Sequence, residues 1–269
     1  MTASGAPVVC CDLDGVLWRG DRAIDGSADA VAALRDAGMR VAFLTNNSSR
    51  TVGVILDQLA SMGVAAHADD VLTSAHAAVS LLTRELAGGA RVLACAGPGV
   101  RDALTAAGFE IVDEGPAEAV VVGWHHDFDF DGLDRASAAV RDGARFVATN
   151  LDATYPGRDH LLPGAGAIVA AVATASGTQP VVAGKPEPPT VALVRERLGN
   201  AGVMVGDRPS TDGALAAALG WPFALVLSGV ARRGAEKGGE DVPDPPPPYV
   251  ADDLAHLVPL LLRALDRHA

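Results

Sequence analysis

The chain has 269 residues, of which 49% are hydrophobic and 20% are charged. This length and composition exclude a small disulfide-stapled module and a largely disordered chain, and predict one large or two modest globular domains. The formal net charge of -12 argues against nucleic acid or an anionic membrane as the partner, because both carry negative charge. A small phosphorylated molecule fits this charge if a cation or a local basic group meets it.

The cysteines and the N-terminal segment bear on the cellular compartment. Cys10, Cys11 and Cys95 are an odd number without a C-x-x-C pair, which disfavours both a disulfide framework and a thiolate metal site. The first residues lack the pattern of a signal peptide, and the longest apolar runs are too short to span a membrane. We therefore expect a soluble cytoplasmic protein without a membrane partner.

Strand and helix patterns alternate along the chain. Residues 8–11 are typical of a buried strand, 25–37 of a helix and 41–44 of a second strand. The same order returns with strands predicted at 92–96, 110–112, 119–122, 145–148, 181–183 and 203–205, and with helices that end at 107, cover about 133–140, and end at 198. These repeated units predict α/β architecture with covered parallel sheets and right-handed crossovers.

The number of strand-helix-strand units favours two domains over one sheet. Candidate boundaries lie in a helix that ends at Gly88-Gly89 and in the turn at 176–180. Residues 231–248 are rich in Gly, Pro and charge, and predict a surface connector with a polyproline stretch at 243–248 before a last strand and helix. A peptide-recognition role is the alternative for this stretch.

Two acidic residues follow the first predicted strand. Asp12 ends it and Asp14 stands two residues on, so both carboxylates face one site if the chain is extended there. Carboxylates this close repel each other, and coexist at low cost only around a metal ion or with one of them protonated. Gly15 allows the chain to turn sharply behind them. A capped strand-to-helix turn is the structural alternative.

Further polar residues follow other predicted strands. Thr45 and Asn46 come after the strand at 41–44, Lys185 after 181–183, and Asp207 and Asp212 after 203–205. Taken singly, Thr45 is explained as a helix cap, Lys185 as a solvated charge and Asp207 as a turn former. Together they lie at the carboxyl ends of strands, where open α/β sheets bind ligands. The combination indicates one chemical site.

In order and spacing these residues resemble the four motifs of the haloacid dehalogenase-like phosphatase superfamily: D-x-D, a strand ending in Ser or Thr, a Lys, and G-D-x-x-x-x-D. The segments FLTNNSSR, VLTSAHAA, ATNLDATYPGRDHLLPGAGAIVAA, GKPEPP and YVADDLAHL are similar to its NagD-like subfamily IIA, the nitrophenylphosphatase and phosphoglycolate phosphatase branch. The resemblance covers nearly the whole chain. It implies a Rossmann-like parallel-sheet core at 1–82 and 180–269, with an inserted α/β cap domain at 83–179.

The resemblance implies a Mg²⁺-dependent phosphatase of small phosphate monoesters. Asp12 matches the nucleophile that forms an aspartyl-phosphate, and Asp14 matches the general acid and base. Mg²⁺ would be held by Asp12, Asp207 and the backbone carbonyl of Asp14. Asp212 would orient a metal ligand or a metal-bound water from outside this group.

The resemblance also assigns groups that bind the substrate. Thr45, the backbone N–H of Asn46 and Lys185 match groups that hold the phosphoryl oxygens. Three cap residues match positions that face the core site in relatives and are candidates for substrate specificity: Asn150, Asp152 and Tyr155. An Asx turn and a core aromatic residue are the structural alternative for them. Relatives often dimerise through the cap, so a homodimer is one expectation for this chain.

Two segments depart from the family pattern. Ser210 stands where relatives carry an acid in G-D-R-x-x-T-D, so the outer hydrogen bonds of the metal site would differ. Trp124, His125 and His126 follow the cap strand where an acidic residue is usual, which puts the identity of the substrate in doubt. The histidine pair and the acids after it are a weak transition-metal candidate, because adjacent side chains of a strand point apart.

Other functions share parts of this pattern. A phospho-accepting receiver module uses clustered acids, a Thr and a Lys, but no separate strand for its acceptor lies between Asp14 and Thr45. A phosphotransferase and a phosphometabolite-sensing protein fit the same fold, although the complete residue set argues against lost chemistry. Glycerol phosphate, phosphoglycolate, nucleotide monophosphates, sugar phosphates and 4-nitrophenyl phosphate all stay open as substrates.

Overall fold

The computed structural model describes residues 7–156, 160–234 and 239–265. Its strands are β1 Val8–Cys11, β2 Trp18–Arg19, β3 Arg22–Ala23, β4 Arg40–Thr45, β5 Val71–Thr73, β6 Arg91–Cys95, β7 Glu110–Val112, β8 Ala119–Val122, β9 Arg145–Ala148, β10 Thr154–Pro156, β11 Leu161–Pro163, β12 Val181–Val182, β13 Gly202–Gly206, β14 Phe223–Val226, β15 Ala231–Arg232, β16 Glu240–Asp241 and β17 Tyr249–Ala251. Its α-helices are α1 Ser27–Asp36, α2 Val52–Ser61, α3 Ser74–Glu85, α4 Pro98–Ala106, α5 Phe130–Arg141, α6 Ala165–Ser176, α7 Pro188–Leu198, α8 Ala214–Leu219 and α9 Leu254–Leu265. A 3₁₀ turn covers Ala68–Asp70, and a π-helical turn covers Pro209–Gly213.

The chain divides into two compact units. The first comprises Met1–Thr45, Leu56–Leu72 and Val194–Ala269, and the second comprises Asn46–Ile55 and Thr73–Leu193. The second unit therefore consists of sequence that lies between parts of the first. The domain bounds expected from the sequence, with a cap at 83–179, stay a prediction.

The first unit is built on a six-stranded sheet in the order β17-β14-β13-β1-β4-β5. β1 pairs in parallel with β4 on one side and with β13 on the other. All four residues of β1 are buried, as expected for a parallel strand that is covered on both faces. Because these three neighbouring strands run parallel, their carboxyl ends lie at the same edge of the sheet. The chain segments that follow them therefore leave the sheet at that edge.

The second unit contains a five-stranded sheet in the order β12-β9-β8-β6-β7, with parallel pairing throughout. Val120, Val122 and Phe146 of this sheet pack with Val169 and Val172 of α6 in one hydrophobic core. β10 and β11 form a separate antiparallel pair. The predicted α/β architecture with parallel sheets is confirmed in both units.

The structure contains elements that the sequence analysis did not predict, among them strands β5 and β14 of the six-stranded sheet and helices α2, α6 and α8. The helix expected to end at Gly88-Gly89 ends at Glu85. The short strand pairs β2–β3 and β10–β11 were not predicted either, since none of these four strands is a run of apolar β-branched residues. None of the helices in the described part of the chain has the length and apolar character that a membrane crossing requires.

The segment at 231–248 is only partly the connector that its composition predicts. β15 and β16 pair in parallel within it, so the prediction of a continuous loop is wrong there. Residues 235–238 of the predicted connector lie outside the described residues. The prediction of a last strand and helix after it is confirmed by β17 and α9.

Candidate active site

Three carboxylates meet at the carboxyl edge of the six-stranded sheet. Asp12 follows β1, Asp207 follows β13, and Asp212 lies in the π-helical turn, with oxygens that all lie within 4.8 Å of one another. All three side chains are buried, and Asp212 has no exposed surface. Within the residues that the structure describes, this is the one group of three metal-ligating side chains.

Asp207 carries the clearest sign that a cation belongs in this group. Its Oδ2 accepts a hydrogen bond of 2.6 Å from the Val230 N–H, whereas its Oδ1 is buried without a hydrogen-bond partner. Burial, followed by the negative charges of Asp12 and Asp212, raises the pKa of Asp207 to about 8. A cation would satisfy the unpartnered oxygen and offset the repulsion. Buried carboxylate oxygens are donors that suit a hard ion such as Mg²⁺.

Glycines make room for the three carboxylates. A Cβ atom on Gly15 or on Gly229 would overlap the Asp207 carboxylate, and one on Gly206 would overlap Asp212. Gly15 also has a φ of +85°, which side-chain-bearing residues rarely adopt. The sequence predicted the turn at Gly15. It gave no signal for Gly229, which lies far from the acidic motifs along the chain.

Asp14 is held by a side chain that the sequence analysis did not identify. Its Oδ1 accepts a hydrogen bond of 3.0 Å from the indole N–H of Trp18 on β2. Trp18 is buried, with 2% of its surface exposed, so the indole is fixed by its surroundings. Asp14 itself is half-buried. The only available signal was a Trp four residues after an acid, which by itself indicates nothing about contact.

Trp18→Phe is expected to lower kcat about 10- to 100-fold with little change in KM, because a hydrogen bond to a charged group contributes about 1.5–3 kcal/mol. Trp221→Phe is the matched control. Trp221 is similarly buried and donates its indole N–H to the Asn200 carbonyl at 2.9 Å, away from the acidic residues. Steady-state kinetics of both variants test the prediction. An equal loss of activity in the two variants would show that the effect comes from stability.

In the second unit, the side-chain amide of Asn46 pairs with the backbone of Lys185. Its Oδ1 accepts a hydrogen bond from the Lys185 N–H at 2.8 Å, and its Nδ2 donates to the Lys185 carbonyl at 3.3 Å. A Cβ atom on Gly184 would overlap the Thr149 carbonyl, so glycine permits this close approach. These bonds connect the lysine to the residue that directly follows Thr45 in the chain. Thr45 is buried at the end of β4.

The three predicted specificity residues have different surroundings. Asn150 is buried, donates from Nδ2 to the Asn46 carbonyl at 2.8 Å, and accepts from the Asp152 N–H at 3.0 Å. Asp152 is half-buried. The Tyr155 hydroxyl accepts a hydrogen bond of 3.0 Å from Asn47 Nδ2. The contact between Asn150 Oδ1 and the Asp152 N–H is that of an Asx turn. The specificity role of all three residues stays a prediction.

The two histidines of the Trp-His-His segment have different aromatic neighbours. Trp124 stacks on Tyr155 with 4.0 Å between ring centroids, and His126 meets Trp124 edge-on at 6.2 Å. The His125 ring instead meets Phe128 edge-on at 5.6 Å. The histidines thus contact different aromatic partners, and no metal-ligating group forms around them among the described residues.

An acid reaches Ser210 from a distant part of the first unit. The N–H and Oγ of Ser210 donate to the two carboxylate oxygens of Glu240 on β16, at 2.9 and 2.6 Å. In the same turn, the Arg208 N–H donates to Asp212 at 3.1 Å. The segment that lacks the family's acid in sequence therefore has a carboxylate beside it in the fold.

Comparison with known proteins assigns the family. A model of haloacid dehalogenase-like hydrolases matches residues 9–110, and a second model of the same kind, HAD-hydrolase-like, matches residues 182–257. The chain is 37% identical over 204 residues to the acid sugar phosphatase of Staphylococcus saprophyticus, which covers 75% of this chain and 78% of that protein. The chain belongs to the haloacid dehalogenase-like hydrolase family.

Two further similarities within this family extend over most of the chain. The D-glycerol 3-phosphate phosphatase of Mycobacterium tuberculosis is 38% identical over 252 residues, covering 91% of this chain and 69% of that protein. The crystal structure of glycerol phosphate phosphatase from Mycobacterium tuberculosis in complex with magnesium has a TM-score of 0.83 at 35% identity, covering 94% of this chain and 76% of that one. The predicted NagD-like branch, the Rossmann-like core with a cap, and the class of phosphoric monoester hydrolases are confirmed.

Proposed function

We propose that this chain is a Mg²⁺-dependent phosphatase that hydrolyses small phosphate monoesters through an aspartyl-phosphate on Asp12. The observation that carries the proposal is the buried group of three carboxylates with one unpartnered oxygen on Asp207. The similar proteins are named for acid sugar phosphatase and glycerol 3-phosphate phosphatase activities. Sugar phosphates and glycerol phosphate are therefore the first substrates to test.

The acidic residues of this chain would hold the cation. Asp12 and Asp207 would bind it together with the backbone carbonyl of Asp14, and Asp212 would fix the arrangement from beside Asp207. When bound, Mg²⁺ supplies positive charge that offsets the carboxylates and the phosphoryl oxygens. This positive charge would explain how a protein with a net charge of -12 accepts an anionic substrate.

The reaction consists of two displacements at phosphorus. A carboxylate oxygen of Asp12 forms a bond to phosphorus while the bond to the alcohol oxygen breaks, and Asp14 donates its proton to that oxygen. Asp14 then accepts a proton from a water molecule as the water oxygen attacks phosphorus. The bond between phosphorus and Asp12 breaks, which releases inorganic phosphate and regenerates the carboxylate. The indole N–H of Trp18 orients Asp14 for both transfers.

Three groups would bind the oxygens of the phosphoryl group. They are the Thr45 hydroxyl, the Asn46 N–H and the Lys185 ammonium. Donors fixed in position before the reaction stabilise the charge that develops in the transition state at no reorganisation cost. The hydrogen bonds between Asn46 and the Lys185 backbone support this role, because they fix the start of the lysine side chain.

Phosphate release from a panel of monoesters, with Mg²⁺ and with a chelator, tests the proposal. The panel contains sugar phosphates, glycerol phosphate, phosphoglycolate, a nucleotide monophosphate and 4-nitrophenyl phosphate. Removing the metal is expected to lower the rate at least about 10²-fold, since the cation contributes several kcal/mol of charge stabilisation. Adding excess Mg²⁺ should restore the rate and raise Tm, because it binds only the folded state.

Three outcomes would contradict this function. Phosphate release that is indifferent to the chelator would exclude the metal-dependent mechanism. Binding of an ester without release would favour a sensing protein, and transfer of phosphate to an added alcohol would favour a phosphotransferase.

The homodimer through the cap stays a prediction, which sedimentation in solution would test.

A further inference from the structure

Four hydrogen bonds fix Asn46 in the second unit. Its carbonyl oxygen accepts two of them, from the Ser74 hydroxyl at 2.6 Å and from Asn150 Nδ2 at 2.8 Å. Its side-chain amide makes the other two, to the N–H and the carbonyl of Lys185. All four residues are buried, with 1% to 9% of their surface exposed. These bonds use every polar group of Asn46 except its N–H, which is the group proposed to bind a phosphoryl oxygen.

The two side chains that donate to the Asn46 carbonyl lie on separate segments of the chain. Ser74 is the first residue of α3, whose start is fixed by a hydrogen bond from the His76 N–H to the Thr73 hydroxyl at 3.2 Å. Asn150 lies just after β9, and its Oδ1 is fixed by the Asp152 N–H. The segment that carries each donor is thus fixed by its own local hydrogen bond. Together they orient the peptide group that follows Asn46.

We propose that Ser74 and Asn150 are positioning residues for phosphate binding. They orient Asn46 and, through its side chain, the backbone of Lys185, without touching the substrate themselves. The inference rests on the proposed function and gives it two further residues. The sequence analysis made Asn150 a candidate for selecting the alcohol part of the substrate. In the present proposal Asn150 instead acts on phosphate binding, which is common to every substrate.

The physical reason is the cost of an unsatisfied buried carbonyl. Removing one donor leaves the Asn46 carbonyl with the other, so the loss is that of one hydrogen bond. Removing both leaves a buried acceptor without either side-chain partner, which costs more than twice as much. The effects of the two substitutions should therefore be more than additive, as expected for residues that share a partner.

The test uses the full chain with Ser74→Ala, with Asn150→Ala and with both substitutions. Calorimetric titration with inorganic phosphate in the presence of Mg²⁺ measures binding of the phosphoryl group without turnover. Each single variant is expected to weaken phosphate binding about fivefold, and the double variant about 100-fold. The value of kcat/KM should fall by the same factor for glycerol phosphate and for a sugar phosphate.

Thr149→Val provides the matched control. Thr149 is fully buried next to Asn150, and its hydroxyl bonds to Ser48 Oγ at 2.9 Å without contacting Asn46. This variant should lower Tm while phosphate binding is unchanged. The pair of readouts therefore separates a loss of stability from a loss of phosphate orientation.

Several results would overturn the inference. If Asn150→Ala changed the ratio of kcat/KM between the two substrates and left phosphate binding intact, Asn150 would be a specificity residue. If Ser74→Ala and Asn150→Ala lowered only Tm, the network would be merely structural. A failure of the proposed function is distinguished from a failure of this inference by the unmutated chain. If the proposed function is wrong, the unmutated chain releases phosphate from none of the esters. If it also bound no inorganic phosphate, the inference would fall with it.

Discussion

Asp12→Asn is expected to reduce phosphate release by about 10⁴-fold or more while the protein stays folded. The amide cannot form the aspartyl-phosphate, and loss of a nucleophile typically costs this much or more. The Asp12 charge also contributes to the raised pKa of Asp207, so its removal relieves repulsion within the buried group. Without Mg²⁺, the variant should therefore be at least as stable as the unmutated chain. Single-turnover phosphate release and thermal unfolding in chelator measure the two effects.

Asp36→Asn is the control for the change of side-chain chemistry. Asp36 is exposed at the end of α1, so the same substitution there should leave both turnover and Tm unchanged. Multiple turnover by Asp12→Asn at a rate within about tenfold of the unmutated chain would exclude Asp12 as the nucleophile. Unfolding of the variant in chelator would instead contradict the electrostatic account of the three carboxylates.

Gly229→Ala is expected to lower kcat/KM about 10²-fold and to weaken Mg²⁺ binding. The added methyl group overlaps the Asp207 carboxylate, and the shift that relieves this overlap also moves the neighbouring Val230 N–H from Asp207. A displacement of about 1 Å at a reacting group costs about this much in rate. Overpacking of this kind destabilises a protein by about 1–3 kcal/mol. Calorimetric titration with Mg²⁺ and steady-state kinetics provide the measurements.

Gly88→Ala controls for the change in backbone freedom. A Cβ atom on Gly88 meets no atom within 4 Å, so this variant should keep its activity and its Mg²⁺ affinity. If Gly229→Ala bound Mg²⁺ and turned over substrate like the unmutated chain, Asp207 would not depend on this close packing. The metal site would then have to tolerate movement of the Asp207 carboxylate.

Local sequence signals were sufficient for the parallel α/β architecture. The apolar run of β1 and the helical spacing of α1 are properties of neighbouring residues, so they can be recognised without knowing the fold. The acids after β1 and β13 were identified for the same reason, since strand ends are marked by turn residues. The strands β2 and β3 have no apolar run and so carry no such signal, and they were not predicted.

Contacts between distant segments decided the details of the site. Asp12 and Asp207 approach each other only because β1 and β13 pair side by side, with Cys11 opposite Val205. Glu240 reaches Ser210 from 30 residues further along the chain. No periodicity in the sequence encodes such approaches, because they depend on which strands become neighbours in the sheet.

By itself, the sequence determined the fold class, the order of the motifs and the presence of acids, a hydroxyl and a lysine at strand ends. Only the tertiary structure showed that Gly229 makes room for Asp207, that Trp18 holds Asp14, and that the Asn150 amide bonds to the backbone at Asn46. The first group of properties depends on residue types and local spacing. The second depends on packing and hydrogen bonding between segments that folding brings together. At such contacts, one added methyl group or one lost hydrogen-bond donor is enough to change the geometry of the site.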